Sequence, residues 1–150
     1  MTDTYKYLLY DVSEGIASIT LNRPPVNAIH EAMTDEYFEA LERADNDEEV
    51  KVIILSGKGK GLSAGADLKY LQAFGTDEMA NFLEKFYVEQ VRRVRGLSKP
   101  IIASVHGYAR EGACTMAFTC DMVGASDDSS FGYPGVPNLA APPGMHVWHL

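Results

Sequence analysis

The amino-acid sequence predicts an α/β fold built on a mainly parallel sheet. Two observations carry that expectation. Short apolar, β-branched runs at 52–55, 101–105 and 122–126 alternate with helical patterns over 30–45, 77–95 and 112–119. The connections between them are short, as strand–helix crossovers require. At 150 residues the chain predicts one domain with enough apolar residues for a real core.

Residues 6–11 and 16–21 read as a hairpin turned at Ser13-Glu14-Gly15. Both faces of the second strand carry apolar or β-branched side chains, which suits a largely buried strand. Arg23-Pro24-Pro25 stops it, because proline cannot donate to a ladder. Ile29, Met33, Tyr37, Phe38, Leu41 and Ala44 mark one face of a helix over 30–45. Residues 50–56 predict a buried strand and 67–73 a short helix. Over 77–95, Met79, Phe82, Leu83, Phe86, Val91 and Val94 predict one longer helix, with Gly96 as its C-cap. The strand 101–105 follows Lys99-Pro100, and the small residues of 112–119 suit a tightly packed buried helix. A further strand spans 122–126, and a last helix is expected from Gly144. No internal repeat is visible, and the pattern at Leu150 reads as that of a fragment.

Composition narrows the functional classes. A net charge of −8 argues against general nucleic-acid or membrane-surface binding, although Lys58, Lys60 and Lys69 form a local basic group. No apolar run approaches the ~20 residues of a membrane span, and the first residues lack the apolar core of a signal peptide. Cys114 and Cys120 have no metal-ligand spacing and read as reduced, buried thiols of a cytoplasmic protein.

Two small-residue segments carry the chemistry. The first is Leu62-Ser63-Ala64-Gly65-Ala66-Asp67-Leu68, reached through Gly57-Lys58-Gly59-Lys60-Gly61. The second is Gly107-Tyr108-Ala109-Arg110-Glu111-Gly112-Ala113-Cys114. Each follows a β run and leads into a helix, so each offers backbone N–H groups to an anion or a developing oxyanion. A dinucleotide fingerprint fails because Leu62 stands where the third glycine belongs, and the P-loop spacing fails as well. Gly61-Leu62-Ser63-Ala64-Gly65 does fit GxSxG, so Ser63 is a candidate hydrolase nucleophile, with Asp121 or Asp127 and His146 as formal partners.

The whole set of segments resembles the crotonase superfamily, or enoyl-CoA hydratase/isomerase family. The matching stretches are Leu21-Asn22-Arg23-Pro24-Pro25-Val26-Asn27-Ala28, Val52-Ile53-Ile54-Leu55-Ser56-Gly57 and Leu62 to Leu68. They continue through Lys99-Pro100 to Ala109, Cys120-Asp121 and Phe131-Gly132-Tyr133-Pro134. The resemblance implies repeated ββα units, with the C-terminal helical region missing. It implies an acyl-CoA substrate, with coenzyme A entering as part of that substrate and no permanently bound cofactor or metal. It also implies a homotrimer or hexamer at full length. By position, the N–H groups of Ala66 and Gly112 would hold a thioester enolate, and Asn27, Ala28, Ala64 and Lys69 would meet the CoA moiety.

The departures are chemical. Family hydratases carry glutamates where this chain has Thr115 and Gly135, and neither replaces a carboxylate in moving a proton. Glu111 is the nearest carboxylate to the second segment and the candidate replacement; Thr115 is a candidate polar contact. The expected function is therefore a CoA-thioester lyase or isomerase of this family. The alternatives are a non-catalytic acyl-CoA-binding member and the Ser63 hydrolase. Asp67 reads as an N-cap, His106 as a structural strand-end residue, and Tyr70 and Trp148 as packing.

Overall fold

The computed structural model describes residues 5–134. The expected helix from Gly144, and Gly135, His146, Trp148 and His149, lie outside the described residues.

The chain opens with β1 (Leu8–Ser13) and β2 (Ile16–Leu21), paired antiparallel through the turn at Glu14 and Gly15. Helix α1 (Glu31–Asn46) follows and buries Met33, Tyr37, Phe38, Leu41 and Ala44, the face its periodicity marks. Then come β3 (Val52–Gly57), the short strand β4 (Gly61–Ser63) and the single-turn helix α2 (Leu68–Leu71). The next helical stretch is α3 (Thr76–Leu83), a π turn (Glu84–Glu89) and α4 (Gln90–Arg95). Strands β5 (Ile101–Val105) and β6 (Tyr108–Arg110) lead to α5 (Gly112–Thr119). Strands β7 (Met122–Ala125) and β8 (Ser130–Gly132) end the described chain.

The large sheet has the order β1-β2-β3-β5-β7, and every pairing after the first hairpin is parallel. A parallel strand buried on both faces needs apolar side chains on both. In β3, Ile53 and Leu55 are fully buried, with Val52 and Ile54 partly so.

A second sheet, β4-β6-β8, is parallel throughout and was not legible in the sequence. Its strands are three residues each and rich in small or polar residues, so they show no period-two apolar pattern. Each strand of this sheet directly follows one of the large sheet: β4 after β3, β6 after β5, β8 after β7. Two of these strand pairs then pass into a helix, which is the repeated ββα unit. The two small-residue segments are thus not plain loops. Each begins as a strand of the small sheet and ends at a helix start, and the parallel β4–β6 pairing sets them side by side.

The stretch 77–95 is not one regular α-helix. The π turn interrupts it at Glu84–Glu89. Its buried residues run Phe82 and Phe86, four apart, and then Gln90, Val91 and Val94. An extra residue in the turn realigns the two apolar stripes and lets both face the core. Gly96 does end α4, but in a right-handed conformation (φ −87°) rather than the left-handed one usual for a glycine cap.

Leu55 lies at the centre of the parallel sheet, opposite Ile19 and Ala103, and is fully buried. Leu55→Ala should lower unfolding stability by about 2–5 kcal/mol in urea denaturation, with the slope unchanged.

Candidate functional site

The first segment is built on β4 and on the 22–28 loop that precedes α1. Asn27, 2% exposed and at φ 51°, is the tie between them. Its Oδ1 accepts the Arg23 N–H at 2.9 Å, and its Nδ2 faces the carbonyls of Lys58 (2.9 Å), Leu62 (3.1 Å) and Gly61 (3.3 Å). The Asn27 side chain is therefore engaged within the chain, and what it presents to a ligand is the shape of its loop. Ala64 N–H donates to Val26 O at 3.0 Å, and Ala28 O accepts from Arg23 Nη1 at 2.6 Å, so Asn27, Ala28 and Ala64 gather in one place.

Ser63 does not meet the geometry of a hydrolase nucleophile. A nucleophile elbow exposes its Oγ at a sharp strand-to-helix turn. Ser63 is fully buried within β4; its Oγ donates to Asn27 O at 2.6 Å and accepts the Gly65 N–H at 3.0 Å. Its hydroxyl stabilises the segment.

Beyond Ser63 the chain makes one parallel bridge, Ile29 to Ala66. Ile29 N–H donates to Gly65 O and Asp67 N–H donates to Ile29 O, both at 2.8 Å. In such a bridge the bracketed residue points its own N–H and C=O the other way. Ala66 N–H thus faces away from Ile29 and donates to no acceptor among the described residues. Ala66 sits just before the N-cap of α2, not within that helix. The cap is Asp67, whose Oδ1 accepts from Lys69 N–H at 3.1 Å and Tyr70 N–H at 3.2 Å. Arg23 Nη2 lies 2.8 Å from the other Asp67 oxygen and ties the cap to the 22–28 loop. Lys69, like Lys58 and Lys60, is exposed.

The second segment ends in Glu111, at φ 50° and ψ −120°. A non-glycine residue there is strained by roughly 1–3 kcal/mol and persists only when its surroundings enforce it. The enforcement is a clasp. Glu111 N–H donates to Gly132 O at 2.9 Å, and Glu111 O accepts from Cys114 N–H at 2.9 Å. The buried Cys114 Sγ donates to Ala109 O at 3.0 Å and receives Gly132 N–H at 3.2 Å. Gly112 then opens α5, and among the described residues its N–H has no acceptor. A Cβ on Gly112 would lie 2.0 Å from Phe86 Cε1, so glycine lets that ring pack against the helix start.

The two segments touch through Gly65. At φ 91°, a Cβ there would lie 2.9 Å from both Arg110 O and Glu111 Cβ. The residue before Ala66 therefore packs directly on the residue before Gly112. Two neighbouring peptides each carry an N–H with no acceptor among the described residues, and N–H groups so placed can receive an anion.

Two hydroxyls meet at the first turn of α5. Thr115, 1% exposed, has its Oγ1 3.4 Å from the Tyr133 hydroxyl. Burial, then the nearby Glu111 and Cys114, pushes the Tyr87 phenol up to about 12. Burial also raises Tyr133, with Cys114, Tyr87 and Glu111 adding to it against the Thr115 hydrogen bond. Both phenols are neutral at physiological pH. Neither tyrosine stood out as a site residue in the sequence. Tyr133 lay within a matching stretch, and Tyr87 lies in the π turn.

Comparisons with known proteins identify the family. A family model for Enoyl-CoA hydratase/isomerase matches residues 11–149. The chain is 37% identical over 143 residues to a probable enoyl-CoA hydratase of Rhizobium meliloti (strain 1021), covering 95% of this chain and 54% of that protein. It is 32% identical over 130 residues to the 1,2-epoxyphenylacetyl-CoA isomerase of Escherichia coli (strain K12), covering 84% and 50%. The solved structure of an enoyl-CoA hydratase/isomerase from Xanthobacter autotrophicus Py2 superposes with a TM-score of 0.88 at 36% identity, over 96% of this chain and 55% of that one. The chain spans about half the length of the curated relatives it matches.

The Arg23–Asp67 pair yields a pH test. Desolvation pushes the Asp67 carboxyl up, but hydrogen bonds from Arg23 and from the Tyr70 and Lys69 N–H groups outweigh it and hold it below the usual aspartate value. A depressed carboxylate stabilises the fold above its unfolded pKa of about 3.9 and loses that contribution as pH falls through the folded value. Arg23→Ala should cost up to about 1 kcal/mol at pH 7, the range for a partly exposed pair. In urea melts the difference from wild type should shrink below the Asp67 folded pKa to the part carried by the Arg23–Ala28 hydrogen bond, which does not titrate.

Proposed function

The chain belongs to the enoyl-CoA hydratase/isomerase family, the crotonase superfamily, and from that premise we propose that it binds an acyl-CoA thioester and stabilises its enolate between the N–H groups of Ala66 and Gly112. The observation that carries this reading is the packing of Gly65 on Arg110 and Glu111, which sets two N–H groups without acceptors among the described residues on adjoining peptides. When a thioester loses its α-proton, negative charge moves onto the carbonyl oxygen. Donors fixed in advance at that oxygen favour the transition state over the ground state. Each such donor is typically worth about 2.7–4 kcal/mol in rate. Gly112 adds the positive end of α5, whose first N–H groups point the same way.

The rest of the thioester extends from this point. The 22–28 loop with Asn27 and Ala28, together with Ala64, would line the pantetheine and adenine path, where backbone shape matters more than side-chain chemistry. Lys69, exposed on α2, would meet a phosphate of the CoA nucleotide. Proton transfer is the divergent part. Thr115 brings a hydroxyl where family hydratases bring a carboxylate, and Gly135 brings no side chain. Glu111 is the carboxylate next to the Gly112 N–H and is the proposed acid/base. The reaction is accordingly of the hydratase/isomerase class, with its proton route different from that of a two-glutamate hydratase.

A second reading, acyl-CoA binding without turnover, draws on one observation: Thr115 is almost completely buried, so a titratable group is missing where the family places one. Turnover of an enoyl-CoA panel separates the two. Loss of turnover in Glu111→Gln supports the enzyme, and no turnover in either protein supports the binder.

The thioester carbonyl itself reports on the two donors. With a ¹³C-labelled carbonyl on a short enoyl-CoA, the infrared band should move to lower wavenumber on binding, because two hydrogen bonds weaken the C=O bond. Ala66→Pro removes one donor without breaking a hydrogen bond among the described residues. It should shift the band back toward the free value and lower turnover about 10²–10³-fold. An unshifted band in the wild-type complex would overturn the reading.

A further inference from the structure

We propose that His30 is a positioning residue for the Ala66 N–H and serves only as a neutral ring, so that its protonation weakens thioester binding. The inference rests on the thioester reading above and names a pH control of one of its donors. Position, enclosure and charge carry it.

His30 follows Ile29, the residue whose N–H and C=O bracket Ala66. On the other side of that bridge, Ala66 runs into the Asp67 cap and then Tyr70. The His30 ring meets the Tyr70 ring edge-on, with centres 5.7 Å apart. His30 thus belongs to one side of the bridge and leans on the other.

The ring is enclosed by a second tyrosine. Tyr7 meets it edge-on with centres 4.5 Å apart. Glu36 of α1 holds Tyr7 there: its Oε2 accepts the Tyr7 N–H at 2.7 Å and its Oε1 the Lys6 N–H at 2.9 Å. Tyr70 is held by its N–H on Asp67 Oδ1 at 3.2 Å and by its hydroxyl, 3.4 Å from Glu31 Oε2. The His30 Nδ1 is buried and has no hydrogen-bond partner among the described residues. A neutral imidazole can leave that nitrogen bare. The cation carries a proton on both nitrogens, so one N–H would be buried without an acceptor.

The surrounding charges do not rescue the cation. His30 is the N-cap of α1, where the helix dipole opposes positive charge. Arg23 repels it, and Lys6 Nζ lies 5.1 Å from the centre of the Tyr7 ring. Asp67 and Glu36 attract it, but Asp67 is paired with Arg23 and caps α2, and Glu36 bonds the two N–H groups above. Glu31 is engaged by Lys85 at 3.3 Å. Burial, then Arg23, accordingly pull the His30 pKa below the ordinary histidine value, against Asp67, Glu36 and its own backbone. A charged ring must leave its place or draw an acceptor into it. Either movement shifts Ile29 or Tyr70, and with them the bridge that aims the Ala66 N–H.

The test is butyryl-CoA binding from about pH 8 to pH 5, together with the Ala66 amide shift of the ligand-free chain by ¹H–¹⁵N NMR. Binding that excludes one proton loses at most about tenfold in affinity per pH unit below the midpoint. His30→Asn keeps a polar, neutral N-cap. Phosphate monoesters of CoA titrate near pH 6 as well, so the quantity read is the difference between the two proteins. It should be nil near pH 8 and reach several-fold in favour of His30→Asn at about pH 5. In the wild-type chain the Ala66 amide should titrate together with the His30 ring, at a midpoint below about 6.5. Parallel binding profiles for the two proteins would overturn the inference and leave the thioester reading standing. So would an Ala66 amide that stays still while the ring titrates. Absence of binding by both proteins at every pH would remove the thioester reading, and this inference with it.

Discussion

Gly65 packs its bare α-carbon on the peptide of Arg110 and Glu111, and nearly everything at the site follows from that approach. Any side chain at Gly65 would occupy the space of Glu111 Cβ and of the Arg110 carbonyl. The contact is also between backbones, so its geometry is set by sheet pairing and not by rotamers. The β4–β6 ladder holds one side of it and the Ile29–Ala66 bridge the other. With both peptides fixed, the following N–H groups are fixed too. Preorganisation of this kind is what makes a hydrogen-bond donor effective in a transition state, since no reorientation is needed when charge appears.

Polar side chains around this contact serve it in different ways. Asn27 and Ser63 are buried and spend their hydrogen bonds on backbone groups of the 22–28 loop, β4 and the chain on either side of it. Cys114 does the same for the second segment, bridging α5, β6 and β8. These residues hold backbone in place. Thr115 and Tyr133 differ, since their hydroxyls meet at the first turn of α5. The strained Glu111 backbone joins the two groups: its N–H and C=O are clasped, while its carboxylate acts on the Tyr87 and Tyr133 phenols.

Much of the architecture was legible in the residues. The face of α1 was marked by Met33, Tyr37, Phe38, Leu41 and Ala44 at helical spacing, and all five are buried. The parallel sheet was marked by runs too apolar to expose either face. Helix α5 starts at Gly112 and ends at Thr119, where the small-residue stretch was placed. What escaped was short or irregular. Three-residue strands offer no periodicity, so the second sheet was invisible. The π turn was hidden because Phe82, Phe86 and Gln90 follow one another at regular four-residue spacing. The Ser63 motif matched in spelling, but only its burial and two hydrogen bonds decided that it is a brace.

The sequence by itself determined the family, the two small-residue segments, and the absence of glutamate at positions 115 and 135. Those are properties of residue identity and order, which no folding is needed to read. Only the tertiary structure decided that the segments adjoin through Gly65, that the Tyr133 hydroxyl meets Thr115, and that Asn27 and Ser63 are committed to backbone partners. Gly65 and Arg110 are 45 positions apart in the chain. Their contact depends on parallel pairing, and parallel pairing joins residues separated by a whole crossover, so no local pattern records it.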